Sequence, residues 1–231
     1  MSATTGSMRA VEAALRDEMC RIGRAMWERG MVAANDGNIS ARLPDGSILC
    51  TPTGTSKGFL SPDVIPVVAL DGTVLRLGAG DRAPSTEVRM HLRAYQMDPA
   101  VGAVVHAHPP HATAFAIKGE PLTGLMMPES VVAMPEVPLA PYATPSTDEV
   151  PDSVAPFIRS HTGCLLEHHG ALTWGPDLMT AYLAMERLEY SAQMTVLVRQ
   201  IDGERQLSDE RVAEVRRIFG VSAPGPSPTL I

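Results

Sequence analysis

The sequence predicts an α/β fold, with a mixed sheet covered by helices. Three observations carry that expectation. Strand-like runs come in pairs around turn residues, at Pro44-Asp45-Gly46 and at Asp71-Gly72. Stretches with apolar residues at helical spacing lie before, between and after those pairs. No internal repeat and no linker breaks the body of the chain, so hairpins and helices must share one layered core. With 231 residues, 45% of them apolar, one large domain can be stabilised without cross-links. The expected organisation is a disordered start over 1–8, one domain over 9–220 and a Pro-rich tail over 221–231.

The elements follow in order. Leu15, Met19, Ile22 and Met26 recur at helical spacing between Val11 and Met31, with Gly30 as a stop. "NDGNIS" (35–40) reads as a turn leading into the first hairpin, and "VIPVVALDGTVL" (64–75) reads as the second. A helix is expected from Ser85, with Val88, Leu92 and Tyr95 on its inner face. "AVGAVVHAH" (100–108) reads as a buried strand, and Pro109-Pro110 opens a short helix. In the Pro-rich stretch 120–156, "VVAM" and "VPLAPYA" look like strands. "GCLLEHHGALTWG" (163–175) reads as one strand. A long helix over 176–201 should bury Leu178, Tyr182, Met185, Leu188 and Ala192. Ser208 caps a last helix carrying Val212, Val215 and Phe219.

Bulk properties narrow the function. The formal net charge is −7, which argues against a nucleic-acid surface. Cys20, Cys50 and Cys164 form no close pair, as expected of reduced, buried thiols. No apolar run reaches the roughly 18 residues that span a bilayer, and the start has no signal-peptide core. The expectation is a soluble cytoplasmic protein with no membrane partner.

The stretch "VVHAHPP" (104–110) carries the chemistry. Residues i and i+2 of a strand share a face and lie roughly 7 Å apart, so His106 and His108 can converge on one point. His168-His169 in "EHHG" lie in another apolar segment, and only one of an adjacent strand pair can join them. Three imidazoles plus an open position is the pattern of a catalytic zinc site. In "APSTEVRMH" (83–91), Ser85 or Thr86 can cap a helix, and Glu87 falls beside those donors as a candidate base. "NDGNIS" and "TPTGTSKG" (51–58) are polar turns whose N–H and hydroxyl groups could cradle a phosphate. Lys57 by itself reads as a solvated lysine.

Together, "GNIS", "TPTG", "PSTE", "VVHAHPPHATA", "APYAT" and "LLEHHG" resemble the class II aldolase/adducin family, in family order from about Leu15 to Phe219. The resemblance implies a mixed, largely antiparallel sheet with helices on both faces, usually in a homotetramer. It implies zinc, one per subunit with Mn2+ or Co2+ as alternatives, held by His106, His108 and His169, while His168 points away. It makes Glu87 the acid/base. It assigns the substrate phosphate to Gly37, Asn38, Thr53, Gly54, Ser85 and Thr86.

The function so implied is cleavage of a ketose 1-phosphate into dihydroxyacetone phosphate and an aldehyde, with fuculose-, rhamnulose-, 5-deoxyribulose- and methylthioribulose-1-phosphate all open. Decarboxylase, dehydratase and epimerase members share the metal site, and adducin-type members are interaction modules without catalysis. Two departures stand out. Leu125-Met126-Met127 replaces the tyrosine that protonates the aldehyde half in the family's fuculose enzyme, and the C-terminal tyrosine is also missing.

Overall fold

The computed structural model describes residues 2–221. Helix α1 spans Ser2–Glu28, and Gly30 follows it with φ 68°. The helix therefore takes in residues 2–8, which the sequence reads as a disordered start. Strands β1 (Asn38–Arg42) and β2 (Ile48–Cys50) form the first hairpin, and β3 (Val67–Val68) and β4 (Val74–Arg76) the second. Helix α2 is Val88–Met97, strand β5 is Ala103–Ala107, and helix α3 is Pro110–Lys118.

Three expectations fail beyond that point. "VVAM" is largely helical, in α4 (Pro128–Ala133), entered through a proline at its first turn. Only Leu139–Ala140 of "VPLAPYA" forms a strand, β6, and a short helix, α5 (Glu149–Val154), follows. The 163–175 segment is a hairpin, not one strand: β7 is Gly163–Leu166 and β8 is Gly170–Gly175. Helices α6 (Leu178–Gln200) and α7 (Asp209–Phe219) close the described chain. The Ser208 hydroxyl accepts from Arg211 N–H as the expected cap; of the apolar residues that α7 carries, Val212 is buried and Phe219 is 62% exposed. The tail beyond 221 lies outside the described residues.

The eight strands form one sheet in the order β4-β3-β2-β1-β5-β8-β7-β6. Every pairing is antiparallel except β6 with β7. Helices cover both faces, as expected. Ile39 and Ala41 of β1, with Ala103, Val105 and Ala107 of β5, pack with α1, α3 and α6 on one face. Val104 packs with α2 and α5 on the other. Strand alternation sends His106 to that second face with Val104, and does the same for Asn38, Ser40 and Arg42 of β1.

Along this seam the polar residues of β1 meet every fourth residue of α2. Asn38 Nδ2 donates to Glu87 Oε2 at 2.7 Å, just ahead of the helix. Ser40 Oγ lies 2.7 Å from His91 Nδ1 and 2.7 Å from Tyr95 Oη. Arg42 Nη2 donates to the Tyr95 carbonyl at 2.8 Å. A strand repeat of two thus matches a helix repeat of four, and the seam fixes how α2 lies on the sheet. Among the described residues no helix is long and apolar enough to cross a membrane.

Candidate active site

The site forms where β5 ends beside the β7–β8 turn. The His106 ring is fully buried, and its Nδ1 lies 2.9 Å from the Ala171 carbonyl. A carbonyl only accepts, so that nitrogen carries the proton and Nε2 keeps its lone pair. His108 sits just past the strand with Nδ1 3.5 Å from Asp36 Oδ2. His169 ends the turn that joins β7 to β8. The three rings have centroids 4.7–5.0 Å apart, and their ligand nitrogens all lie within 4.8 Å of one another.

His106 Nε2 and His108 Nε2 are 3.1 Å apart. With both Nδ1 atoms turned to acceptors, two lone pairs face each other, which only a shared cation or an added proton relieves. Two imidazoles on a tetrahedral zinc ion at 2.0–2.1 Å would stand about 3.3 Å apart. The donor set therefore fits a divalent ion. Burial is the main cause holding His106 and His108 below the ordinary imidazole range. Neutral imidazoles are the ligating form.

Glu87 lies beside the histidines. It occupies the position before α2 rather than its first turn, with φ −83° and ψ 0°. Its Oε1 is 3.2 Å from His169 Nε2, and its Oε2 is 3.8 Å from His106 Nε2. Burial raises its pKa, but the His169 hydrogen bond, the nearby imidazoles and the Asn38 donor outweigh that and hold it down at about 2. An ionised Glu87 agrees with a carboxylate that accepts from Asn38.

His168 is sent away from the site, for a reason other than strand alternation. It sits in the turn with φ 55°, and its ring stacks edge-on toward Tyr142 at 6.4 Å. The tightness of the site also explains its glycines. A Cβ on Gly37, which has φ 72°, would lie 2.7 Å from the His106 carbonyl. A Cβ on Gly170 would lie 2.6 Å from the His108 ring.

The turns expected to hold phosphate are tied together beside these groups. Thr51 N–H donates to the Ile39 carbonyl, Thr53 N–H to that of Ala83, and Ser85 N–H to that of Thr51. Thr53 and Gly54 are exposed. Ser85 Oγ accepts from Glu87 N–H at 3.3 Å, and Asn38 Nδ2 lies 3.4 Å from it. Two expected members are partly occupied. The Asn38 amide is committed to Glu87, and Thr86 Oγ1 pairs with Ser146 Oγ at 2.9 Å.

Sequence reasoning missed three neighbours. Asp36 reads from the sequence only as a turn residue, and His91 carries no motif. Lys57 is 2% exposed, not solvated, and burial pushes its pKa down to about 8 against the pull of Asp36 and Glu87. The three cysteines are free, and burial pushes the Cys50 thiol up to about 12. A cleft of about 710 Å³ is lined by Arg29, Met127, Leu183 and Tyr190 among others and is not lined by the site histidines.

A layered mixed sheet with three convergent imidazoles and an adjacent carboxylate defines a class of metal-site enzymes. The family model "Class II Aldolase and Adducin N-terminal domain" matches residues 17–196, and the chain belongs to that family. It is 36% identical over 212 residues to the 3-oxo-tetronate 4-phosphate decarboxylase of Escherichia coli K12, covering 89% of this chain and 97% of that one. It is 31% identical over 185 residues to the L-fuculose phosphate aldolase of Methanococcus maripaludis, covering 80% of this chain and 97% of that one. The solved structure of Escherichia coli YgbL superposes with a TM-score of 0.81 at 35% identity, covering 89% of this chain and 99% of that one.

Proposed function

We propose that the protein decarboxylates a phosphorylated β-keto acid of the 3-oxo-tetronate 4-phosphate type, giving carbon dioxide and dihydroxyacetone phosphate. The observation that carries this reading is the 36% identity to such a decarboxylase over nearly its whole length. The sequence alone put ketose 1-phosphate cleavage first, and this comparison moves the decarboxylase ahead of it.

The chemistry explains the missing tyrosine. In aldol cleavage the hydroxyl of the departing carbon must lose its proton, and the reverse reaction must return it. A departing carboxylate is already deprotonated, so no group is needed there. Leu125-Met126-Met127 can then stand where the family's aldolase has its tyrosine.

In the proposed reaction the C1–C2 bond breaks and carbon dioxide leaves from C1. The bonding pair moves into C2=C3, and the negative charge collects on the C3 oxygen. One proton then adds to C2 and restores the ketone. His106, His108 and His169 would hold the metal, proposed as one zinc per chain, which when bound supplies Lewis-acid stabilisation of developing oxygen charge. Asn38 orients Glu87, and Glu87 relays the proton to C2. The 53–56 turn, with Gly37 and Ser85-Thr86, supplies the handle that orients the phosphate end.

The second reading is aldol cleavage of a ketose 1-phosphate, favoured by the 31% identity to the fuculose phosphate aldolase. We also propose a homo-oligomer, most simply a tetramer. Leu183 (50% exposed) and Tyr190 (43%) on α6 line the large cleft and support it.

The test is product analysis with zinc-loaded protein. Carbon dioxide from the phosphorylated keto acid, with no aldehyde from a panel of ketose 1-phosphates, supports the decarboxylase. Aldehyde release with no carbon dioxide would replace it with the aldolase.

A further inference from the structure

The chain has two lysines, Lys57 and Lys118, and Lys57 is among its largest wholly buried side chains. Burying an ammonium is costly unless it is paired and hydrogen-bonded. Its Nζ donates to the carbonyls of Asn35 at 2.6 Å and Thr55 at 2.8 Å. The third N–H has no acceptor among the described residues, and no described carboxylate comes within 4.0 Å. Asp36 and Glu87 act on its charge from farther away. The cation thus has no anion in contact.

Its two carbonyl partners belong to the two turns that face the histidine site. Asn35 opens the turn that leads to Gly37-Asn38, and Thr55 follows Thr53-Gly54. Drawing the Thr55 carbonyl onto a buried ammonium fixes the turn. Among the described residues the N–H groups of Gly54, Thr55 and Ser56 have no acceptor. Gly54 has φ 66°, and successive free N–H groups around a left-handed residue make a concave anion site. From behind, α1 closes the site: a Cβ on Gly23 would lie 2.7 Å from the Lys57 carbonyl.

We propose that Lys57 is the buried counter-charge for a phosphate monoester seated on the 53–56 turn. It is a positioning residue that shapes the turn and neutralises the dianion. This rests on the proposed substrate class, which supplies the phosphate. A lysine that merely ties two turns together would affect phosphorylated and unphosphorylated substrates alike.

The variant Lys57→Met removes the charge and keeps much of the bulk. With the phosphorylated keto acid, KM should rise about 10- to 100-fold, as a lost hydrogen bond to a charged group predicts. With the unphosphorylated keto acid, the loss should be at least about tenfold smaller than with the phosphorylated one. Equal losses on both substrates, or an unchanged KM, would overturn the proposal.

A second measurement uses the wild-type, zinc-loaded protein and so does not depend on the variant folding. With lysine isotopically labelled at Cε, the two side chains give two NMR signals. Methyl phosphate should shift the Lys57 signal and leave that of Lys118 in place. Binding of methyl phosphate that leaves Lys57 unmoved, or no binding at all, would overturn the proposal. A shifted Lys57 signal in a protein that turns over no keto acid would instead remove the decarboxylase reading and leave the anion site standing.

Discussion

His91 should make the protein acid-labile, by an amount that can be worked out. The ring is 1% exposed, its Nδ1 is bonded to Ser40 Oγ, and its Nε2 has no partner among the described residues. Burial, against a weaker pull from Glu87, lowers its pKa from 6.5 to about 3. The unfolded chain therefore binds a proton at this residue, and the native chain does not, between about pH 6.5 and pH 3. Stability must then fall as pH falls through that window. At pH 4.5 the difference amounts to roughly 2.5–3 kcal/mol, against almost nothing at pH 7.5. The variant His91→Asn puts an amide near the Nδ1 position and removes the titration. Its cavity cost, on the order of 1–2 kcal/mol, applies at both pH values and cancels. Urea unfolding of both proteins at pH 7.5 and 4.5, with chelator present, isolates the effect. Wild type should lose roughly 2.5–3 kcal/mol more than the variant on acidification. If the two losses agree within about 0.5 kcal/mol, either the burial or the unpaired Nε2 plays no such part.

The remaining predictions concern the site. Metal analysis of His106→Ala/His108→Ala should show severe loss of the ion, while His168→Ala should keep it, because that ring faces Tyr142. Glu87→Gln should lower kcat by about 10²–10⁴-fold with the metal retained, and a change within about twofold would remove Glu87 from the proton step. Gly37→Ala combines a left-handed φ with a 2.7 Å clash against the His106 carbonyl, so a loss of about 1–3 kcal/mol in stability and weaker metal binding are expected from thermal melts and metal titration. Light scattering at micromolar concentration should give a multiple of the 24.7 kDa chain mass, and charging the exposed α6 face with Leu183→Glu should reduce it.

What could be read from the sequence depended on how local the cause was. The two β-hairpins around Asp-Gly turns and the α6 stripe were legible, because turn chemistry and a 3.6-residue period act over a few positions. The one-strand reading of 163–175 failed because Glu167-His168-His169 carries no turn dipeptide. His168 adopts φ 55° without being glycine, and the tertiary setting holds it there. The turn still sends the His168 and His169 rings apart, as a strand would. "VVAM" differs in the opposite direction: its β-branched residues favour a strand, but the proline at the start of α4 sets the backbone for a helix.

Lys57 marks the other limit. A lysine beside Gly58 looks solvated until the fold brings the Asn35 carbonyl to it from 22 residues away. No periodicity encodes that contact. The histidines are different, because their types are rare and their spacing is forced by the strand. Asp36 and Asn38 flank them on a turn whose composition looked ordinary. The three convergent histidines are thus legible in the letters, whereas Asp36 beside His108 and Asn38 on Glu87 become visible only when β1 is laid against β5. It follows that substitutions at Asp36, Asn38 or Lys57 should tune the site while leaving the HxH and HHG pattern intact. The chain's similarity to both a decarboxylase and an aldolase fits this view, in which the surroundings of the histidines rather than the histidines themselves select the reaction.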